Sequence, residues 1–139
     1  MTRARKPAAF VVHSAVHLRA ALTAGAATGR PITALSAVGA SAYAGPAWFA
    51  AMVAAVQPEY PDVALTAALD CDDRAGDVLT AIGLGITHII FNGHKDAARR
   101  LRAIAGQTGT VILNRRPEAL DLLDIRDAER AARDWCEKG

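Results

Sequence analysis

The stretch VALTAALDCDDRAGDVLTAIGLGITHIIFN, residues 63–92, decides the fold class. It holds two apolar runs of strand length, Val63–Leu69 and Thr87–Asn92, on either side of a helical pattern at Ala75–Gly83. Near-continuous runs of Val, Ile, Leu and Phe are typical of strands that are covered on both faces. A strand, a helix and a second strand in this order predict a right-handed crossover between two parallel strands.

The same alternation extends outward in both directions along the chain. Further strands are predicted at Ala8–His13, Pro31–Ser36 and Thr110–Asn114, and further helices at Val16–Thr28, Pro46–Val56 and Lys95–Thr108. We therefore expect one α/β domain over residues 1–139, built on a five-stranded parallel sheet with flanking helices. The sheet is either doubly wound in the flavodoxin-like manner or half of a (β/α)8 barrel. Residues 1–7 are expected to be flexible, and apolar residues at helical spacing in 117–139 predict one or two helices docked on the sheet.

Composition excludes several classes of protein. Hydrophobic residues make up 52% of the 139 residues and charged residues 22%, which describes a globular chain with a real core. The net charge of +2, with basic residues spread along the chain, gives no electrostatic footprint for nucleic acid. Apolar runs are too short to cross a bilayer, and the N-terminal one is interrupted by His13, so we expect no membrane partner and a cytoplasmic protein.

Polar residues follow the predicted strands, where open parallel sheets and α/β barrels bind ligands. Between the second strand and the next helix, the small residues of Ala37–Gly45 would let backbone amides approach an anion, although tight packing explains small residues equally well. We predict a small-molecule site at this edge. Its candidate ligand-binding residues are His13, Ser36, Gly39, Ser41, Gly45, Asn92, His94, Asn114 and Arg115.

The densest acidic cluster, at residues 70–73, supplies the candidate catalytic residues. Asp70 closes an apolar strand and is a candidate proton donor or acceptor, and Cys71 is a candidate nucleophile or soft metal ligand. Asp72 and Asp73 are better explained as caps of the next helix. Nothing in the spacing of the His, Cys and Asp residues fixes a metal geometry, so no metal or other cofactor is expected, with zinc as the alternative.

Three segments resemble the class II fructose- and tagatose-bisphosphate aldolases. They are the second strand and its loop, Gly29–Gly45; the third strand, Tyr60–Cys71; and the fourth-strand unit, Ala81–His94. The resemblance runs from about Phe10 to Arg116. It implies a barrel-related fold and a sugar-phosphate type of ligand.

The resemblance also implies a change of activity. Asp70 stands where that family has its catalytic acid/base, but Cys71 stands where it has a zinc-binding His, and Ala68 replaces a second His. We therefore expect a protein that has lost zinc-dependent aldol cleavage and binds a small phosphorylated metabolite. One alternative is a metal-independent or Cys71-dependent enzyme with lyase-like chemistry at Asp70 on a small carbonyl compound. The other is a structural or oligomeric interaction module; a homodimer would cover the open face of half a barrel.

Overall fold

The computed structural model describes residues 5–138, and these form a parallel sheet flanked by helices. The strands are β1 (Ala8–Val11), β2 (Ile32–Leu35), β3 (Leu65–Asp70), β4 (His88–Ile90), β5 (Val111–Leu113) and β6 (Leu120–Asp121). The helices are α1 (Ala15–Thr28), α2 (Ala40–Tyr43), α3 (Pro46–Val56), α4 (Ala75–Gly83), α5 (Lys95–Gly106) and α6 (Ala128–Lys138). A short 3-10 turn at Gln57–Glu59 follows α3. Most of the segment expected to be flexible, residues 1–7, lies outside the described residues.

The five expected strands are present, but the prediction of a five-stranded sheet was wrong. A sixth strand, β6, lies where the helical tail was expected to start, and it pairs in parallel with Phe10 and Val11 of β1. Leu122 extends this pairing, because its N–H donates to the Val11 carbonyl at 3.1 Å. Two residues are too few to produce a recognisable strand pattern. The helical part of the tail begins only at Ala128.

The strand order across the sheet is β5-β4-β3-β2-β1-β6, and every neighbouring pair is parallel. From β1 to β5 each crossover moves one strand in the same direction, and right-handed crossovers then place the connecting helices on one face. This order differs from the 2-1-3-4-5 order of a flavodoxin-like sheet.

The main core lies between the helices and this face of the sheet. Alternate strand residues such as Phe10, Leu69 and Ile89 point into it and are completely buried. All five longer helices contribute buried side chains to the same cluster. Helix α6 is docked on the sheet as predicted: it packs against α1, and the indole N–H of Trp135 donates to the Ala9 carbonyl at 3.0 Å.

The opposite face of the sheet carries a smaller apolar cluster, formed by Leu35, Ala68 and Ile90. Residues 114–119, called the crossing segment below, connect β5 at one edge of the sheet to β6 at the other. Ala119 of this segment packs on the smaller cluster. From the end of β5 to the start of β6 the chain has seven residue steps of ~3.5 Å, and it must cross five strand spacings of ~4.8 Å. These two lengths are nearly equal, so the crossing segment must be extended and lie close to this face.

Candidate functional site

The carboxyl edge of the sheet brings the predicted site residues to one end of the molecule. They do not form one site there: they divide into a closed hydrogen-bond network around Asp70 and an open cavity beside His13. The two groups differ in what they could do chemically.

Asp70 is the centre of the closed network. Its Oδ1 accepts hydrogen bonds from the backbone N–H groups of Gly39 (3.1 Å) and Asp72 (2.8 Å). Its Oδ2 accepts from the guanidinium of Arg116 at 2.7 Å, and the same guanidinium donates to the Ser36 carbonyl at 2.9 Å. The residue is only 2% exposed. The Asp70 carboxylate therefore holds the crossing segment and two loops in place.

Ser36 and Ser41, two predicted ligand-binding residues, are also buried and used internally. The Ser36 hydroxyl accepts from the Asp70 N–H at 2.9 Å and donates to the Ala37 carbonyl at 3.0 Å. The Ser41 hydroxyl donates to Asp77 at 2.8 Å. Both side chains are committed to holding the loop after β2 against β3 and α4.

Two more predicted residues stand beside this network. Gly39 has φ of +68°, a left-handed conformation that side chains other than Gly rarely adopt. Asn92, with its amide nitrogen turned toward Asp72, donates to that carboxylate at 2.9 Å. The backbone of Asp72 also has a left-handed conformation, with φ of +52°. Asp72 is held in this turn after β3 by two hydrogen bonds, one from its own N–H to Asp70 and one from Asn92 to its carboxylate. Gly39 and Asn92 thus support the turn.

Cys71 follows Asp70 in sequence but points to the opposite face of the sheet. Successive strand residues alternate between faces, and Cys71 is completely buried in the main core beneath the helices. Burial raises the pKa of its thiol to about 11, so the thiol stays protonated at neutral pH. The two residues predicted as a catalytic pair therefore do not share a site.

An open cavity of about 240 Å³ lies at the same edge, beyond β1 and β2. His13 is the predicted residue that lines it, together with part of the small-residue loop at 37–45. Tyr43, 72% exposed, stands on this wall. Helix α3 begins beside the cavity after Gly45, which has φ of +86°. Because Gly has no side chain, the N–H groups in the first turn of α3 have no side-chain cap. The lining residues are Val12, His13, Ala37, Ala40, Tyr43, Ala44 and Trp48.

His13 is paired with a carboxylate that the sequence analysis did not identify. Its Nε2 lies 2.7 Å from Oδ1 of Asp121, and the backbone N–H of His13 donates to Nδ1 of His17 at 3.0 Å. Asp121 was missed because it lies in the tail that was predicted to be helical. Leu120, Asp121 and Leu122 alternate between apolar and polar, but over three residues this alternation is too short to indicate a strand.

The ionisable groups of this pair have shifted pKa values. Burial raises the pKa of Asp121, but the N–H of Leu123 and the imidazole of His13 outweigh it and leave that pKa below its ordinary value. Burial and the neighbouring His13 lower the pKa of His17. At neutral pH this corner of the site holds a carboxylate and a neutral His17.

The remaining predicted residues lie outside the cavity. His94 caps α5, with its Nδ1 accepting from the Asp96 N–H at 3.1 Å. Asn114 and Arg115 are exposed in the crossing segment. Arg116, next to them, is the cation that pairs with Asp70.

A larger cavity of about 360 Å³ lies near the opposite, amino edge of the sheet, between α3 and α4. Its walls are mainly apolar, as at Phe49, Val53 and Ile86, and Gln57 and Thr87 are its polar side chains. None of the described residues that line it is ionisable. The carboxyl edge, where polar groups converge, is therefore the better candidate site.

Residues 5–138 include no group of three or more His, Cys, Asp or Glu side chains placed to hold a metal ion. Within the same residues, no helix has the length and apolarity needed to span a membrane. No family model matches the chain, and a search of curated proteins finds no significant match.

Proposed function

We propose that this protein binds a small phosphorylated metabolite in the cavity between His13 and the start of α3, and that it has no zinc-dependent aldol-cleaving activity. The observation that carries the proposal is the division of the carboxyl edge. Asp70 is closed into a network, while an open cavity lies beside it. Five consecutive parallel strands with their helices on one face are also what half of a (β/α)8 barrel would have, which supports the resemblance to class II aldolases.

The state of Asp70 argues against its use as a general base. A general base needs a free lone pair within hydrogen-bond reach of the substrate proton. Three of the roughly four acceptor sites of the Asp70 carboxylate are taken by protein donors, one of them the Arg116 guanidinium, and Asp70 is only 2% exposed, so a substrate has little access to it. Cys71 adds no nucleophile at this edge, because its thiol faces the core. The lyase-like alternative would require both residues to rearrange.

The cavity itself favours a small anionic ligand. At about 240 Å³ it lies below the roughly 300–1,000 Å³ of pockets for drug-sized ligands, which favours a molecule of a few carbon atoms. Trp48, in the first turn of α3, lines the cavity, and the N-terminus of α3 has no side-chain cap. Backbone N–H groups at the positive end of a helix are suited to phosphate oxygens.

The test is a thermal-shift and calorimetric screen of triose and sugar phosphates beside the same sugars without phosphate. A bound ester at 100-fold above its Kd should stabilise the protein by about 2.7 kcal/mol. The variant Ala44→Leu, which places a larger side chain on the cavity wall, should fill the cavity and abolish the shift. Ala51→Leu, on the exposed side of α3, serves as its control. Equal effects of phosphorylated and unphosphorylated sugars, or no effect of either, would exclude the proposal.

A second candidate function, a homodimer or interaction module, is favoured by exposed apolar side chains at the same edge. Val38 follows β2, Leu123 follows β6 and Val16 lies at the start of α1, and each is at least half exposed. A second copy of the chain could cover them. Light scattering coupled to size exclusion should then report a dimer that Leu123→Lys dissociates, and a monomer at high concentration would rule this out.

A further inference from the structure

We infer that His13, held by Asp121, is the residue that binds the anionic group of the ligand, and that it does so only after taking up a proton. The inference rests on the proposed function, because it places the phosphate of that ligand. It adds the contacting atom, Nδ1 of His13, and a coupling between binding and pH.

The hydrogen bond to Asp121 decides which ring nitrogen of His13 is left for a ligand. A carboxylate oxygen only accepts, so the 2.7 Å contact with Asp121 requires the proton on Nε2. The N–H of Leu123 donates to the same carboxylate oxygen at 2.9 Å and keeps it in position. In the neutral ring Nδ1 then carries a lone pair. Nδ1 has no hydrogen-bond partner among residues 5–138, and His13 lines the cavity.

A lone pair on Nδ1 repels an oxyanion, whereas a proton on Nδ1 makes it a charged donor. Hydrogen bonds between an ionised donor and an ionised acceptor are roughly twice as strong as neutral ones. The Asp121 carboxylate remains the acceptor of the Nε2 proton when Nδ1 is protonated. Anion binding at Nδ1 therefore requires one proton to move from solvent to this nitrogen, while the Nε2 proton stays on the ring.

Within residues 5–138, three other titratable groups face His13. Asp121 on β6 pairs with it, His17 on α1 contacts it edge to face, and Tyr43 on α2 lines the same cavity. His17 is a poor substitute for His13, because its Nδ1 accepts the backbone N–H of His13 and must stay unprotonated to do so. Lys and Arg do not occur among the cavity-lining residues of the described chain. His13 is therefore the group that can supply a positive charge there.

The experiment follows the ring protons of His13 by NMR from pH 5.5 to 8.5, alone and with glycerol 3-phosphate or inorganic sulfate. Sulfate keeps a constant charge over this range, so any pH dependence of its binding comes from the protein. We expect saturating anion to raise the titration midpoint of His13 by about one pH unit, which corresponds to tenfold tighter binding to the protonated ring. Calorimetry in buffers of different ionisation enthalpy should show proton uptake.

Two variants and a control separate this role from a structural one. His13→Gln should remove the pH dependence of sulfate binding, and Asp121→Asn should move it to lower pH, because Asn still accepts from Nε2 but carries no charge. His94→Asn, which keeps the cap of α5, should retain the pH dependence of the parent protein. Circular dichroism checks that each variant is folded.

The outcomes distinguish this inference from the proposed function. If phosphate esters stabilise the protein but leave the His13 midpoint unchanged, the inference is overturned and the proposed function stands. If no ester binds, the proposed function fails. If sulfate also leaves the titration midpoint of His13 unchanged, the inference is overturned as well. If the pH dependence of sulfate binding in Asp121→Asn falls at the same pH as in the parent protein, the role of Asp121 is overturned.

Discussion

The ion pair between Arg116 and Asp70 fixes the crossing segment to the carboxyl edge, so its removal is a direct test of how this end of the fold is held. Arg116→Met keeps the aliphatic stem and removes two hydrogen bonds, to Asp70 at 2.7 Å and to the Ser36 carbonyl at 2.9 Å. The carboxylate that loses its partner is almost fully buried. We expect a large loss of stability from one substitution on a connecting segment.

The magnitude follows from burial. Removing one partner of a buried ion pair costs about 3–5 kcal/mol, because the other charge is left unpaired. Two backbone N–H groups remain on Oδ1 of Asp70, and the 24% exposure of the Arg116 side chain lets water replace the guanidinium. We therefore expect Arg116→Met to lower the free energy of unfolding by about 2–3 kcal/mol, no more than the lower end of that range. For a domain of this size the melting temperature would fall by roughly 6–12 °C.

Urea unfolding followed by circular dichroism measures this loss, with Arg115→Met as the matched control. Arg115 is the adjacent exposed residue, and its substitution should change the free energy of unfolding by less than about 0.5 kcal/mol. Combining Arg116→Met with Asp70→Asn should cost less than the sum of the single changes, by about 0.5–3 kcal/mol. Equal small losses for the two Arg variants would refute the argument that Asp70 depends on Arg116.

Two further predictions concern the core. Cys71 and Cys136 are both buried free thiols with raised pKa values, so at pH 8 neither should react with an aromatic disulfide reagent until urea unfolds the protein; rapid labelling of the native chain would contradict their placement. Gly25→Ala in α1 would bring a methyl group to 2.6 Å from the Ile32 side chain and should cost about 1–3 kcal/mol. In the control Gly76→Ala, in α4, the added methyl group meets open space, so this change should be neutral or stabilising by about 0.5 kcal/mol. The urea midpoint of Gly25→Ala should therefore be the lower of the two, and a lower midpoint for Gly76→Ala would contradict the prediction.

The sequence predicted the repeating part of the fold well. The strands around Leu69 and Ile89 are long apolar runs bounded by helical patterns, so local information was enough to place them. Strand β6 has two residues, and its pairing with Phe10 depends on a partner 110 positions away. Local periodicity contains no trace of such a contact.

The site was predicted as an edge of the sheet but not as an arrangement of atoms. Asp70 and Cys71 are neighbours in sequence, and the alternation of strand residues already implied that they face opposite sides. The partner of Asp70, Arg116, and the partner of His13, Asp121, come from segments that the sequence analysis treated as a loop and a helical tail. Long-range pairs of this kind are set by tertiary structure and cannot be read from spacing.

The crossing segment also has a consequence for the order of events during synthesis of the chain. The smaller apolar cluster at Leu35, Ala68 and Ile90 is assembled from strands that are complete once Ile90 has been made. Its cover, Ala119, is translated later, and β6 can join β1 only after that. Until then a nascent chain would present an uncovered apolar patch and a free edge at β1, the kind of surface that chaperones protect and that other chains can invade. Aggregation of this protein should therefore be most sensitive to the interval in which residues 91–119 leave the ribosome.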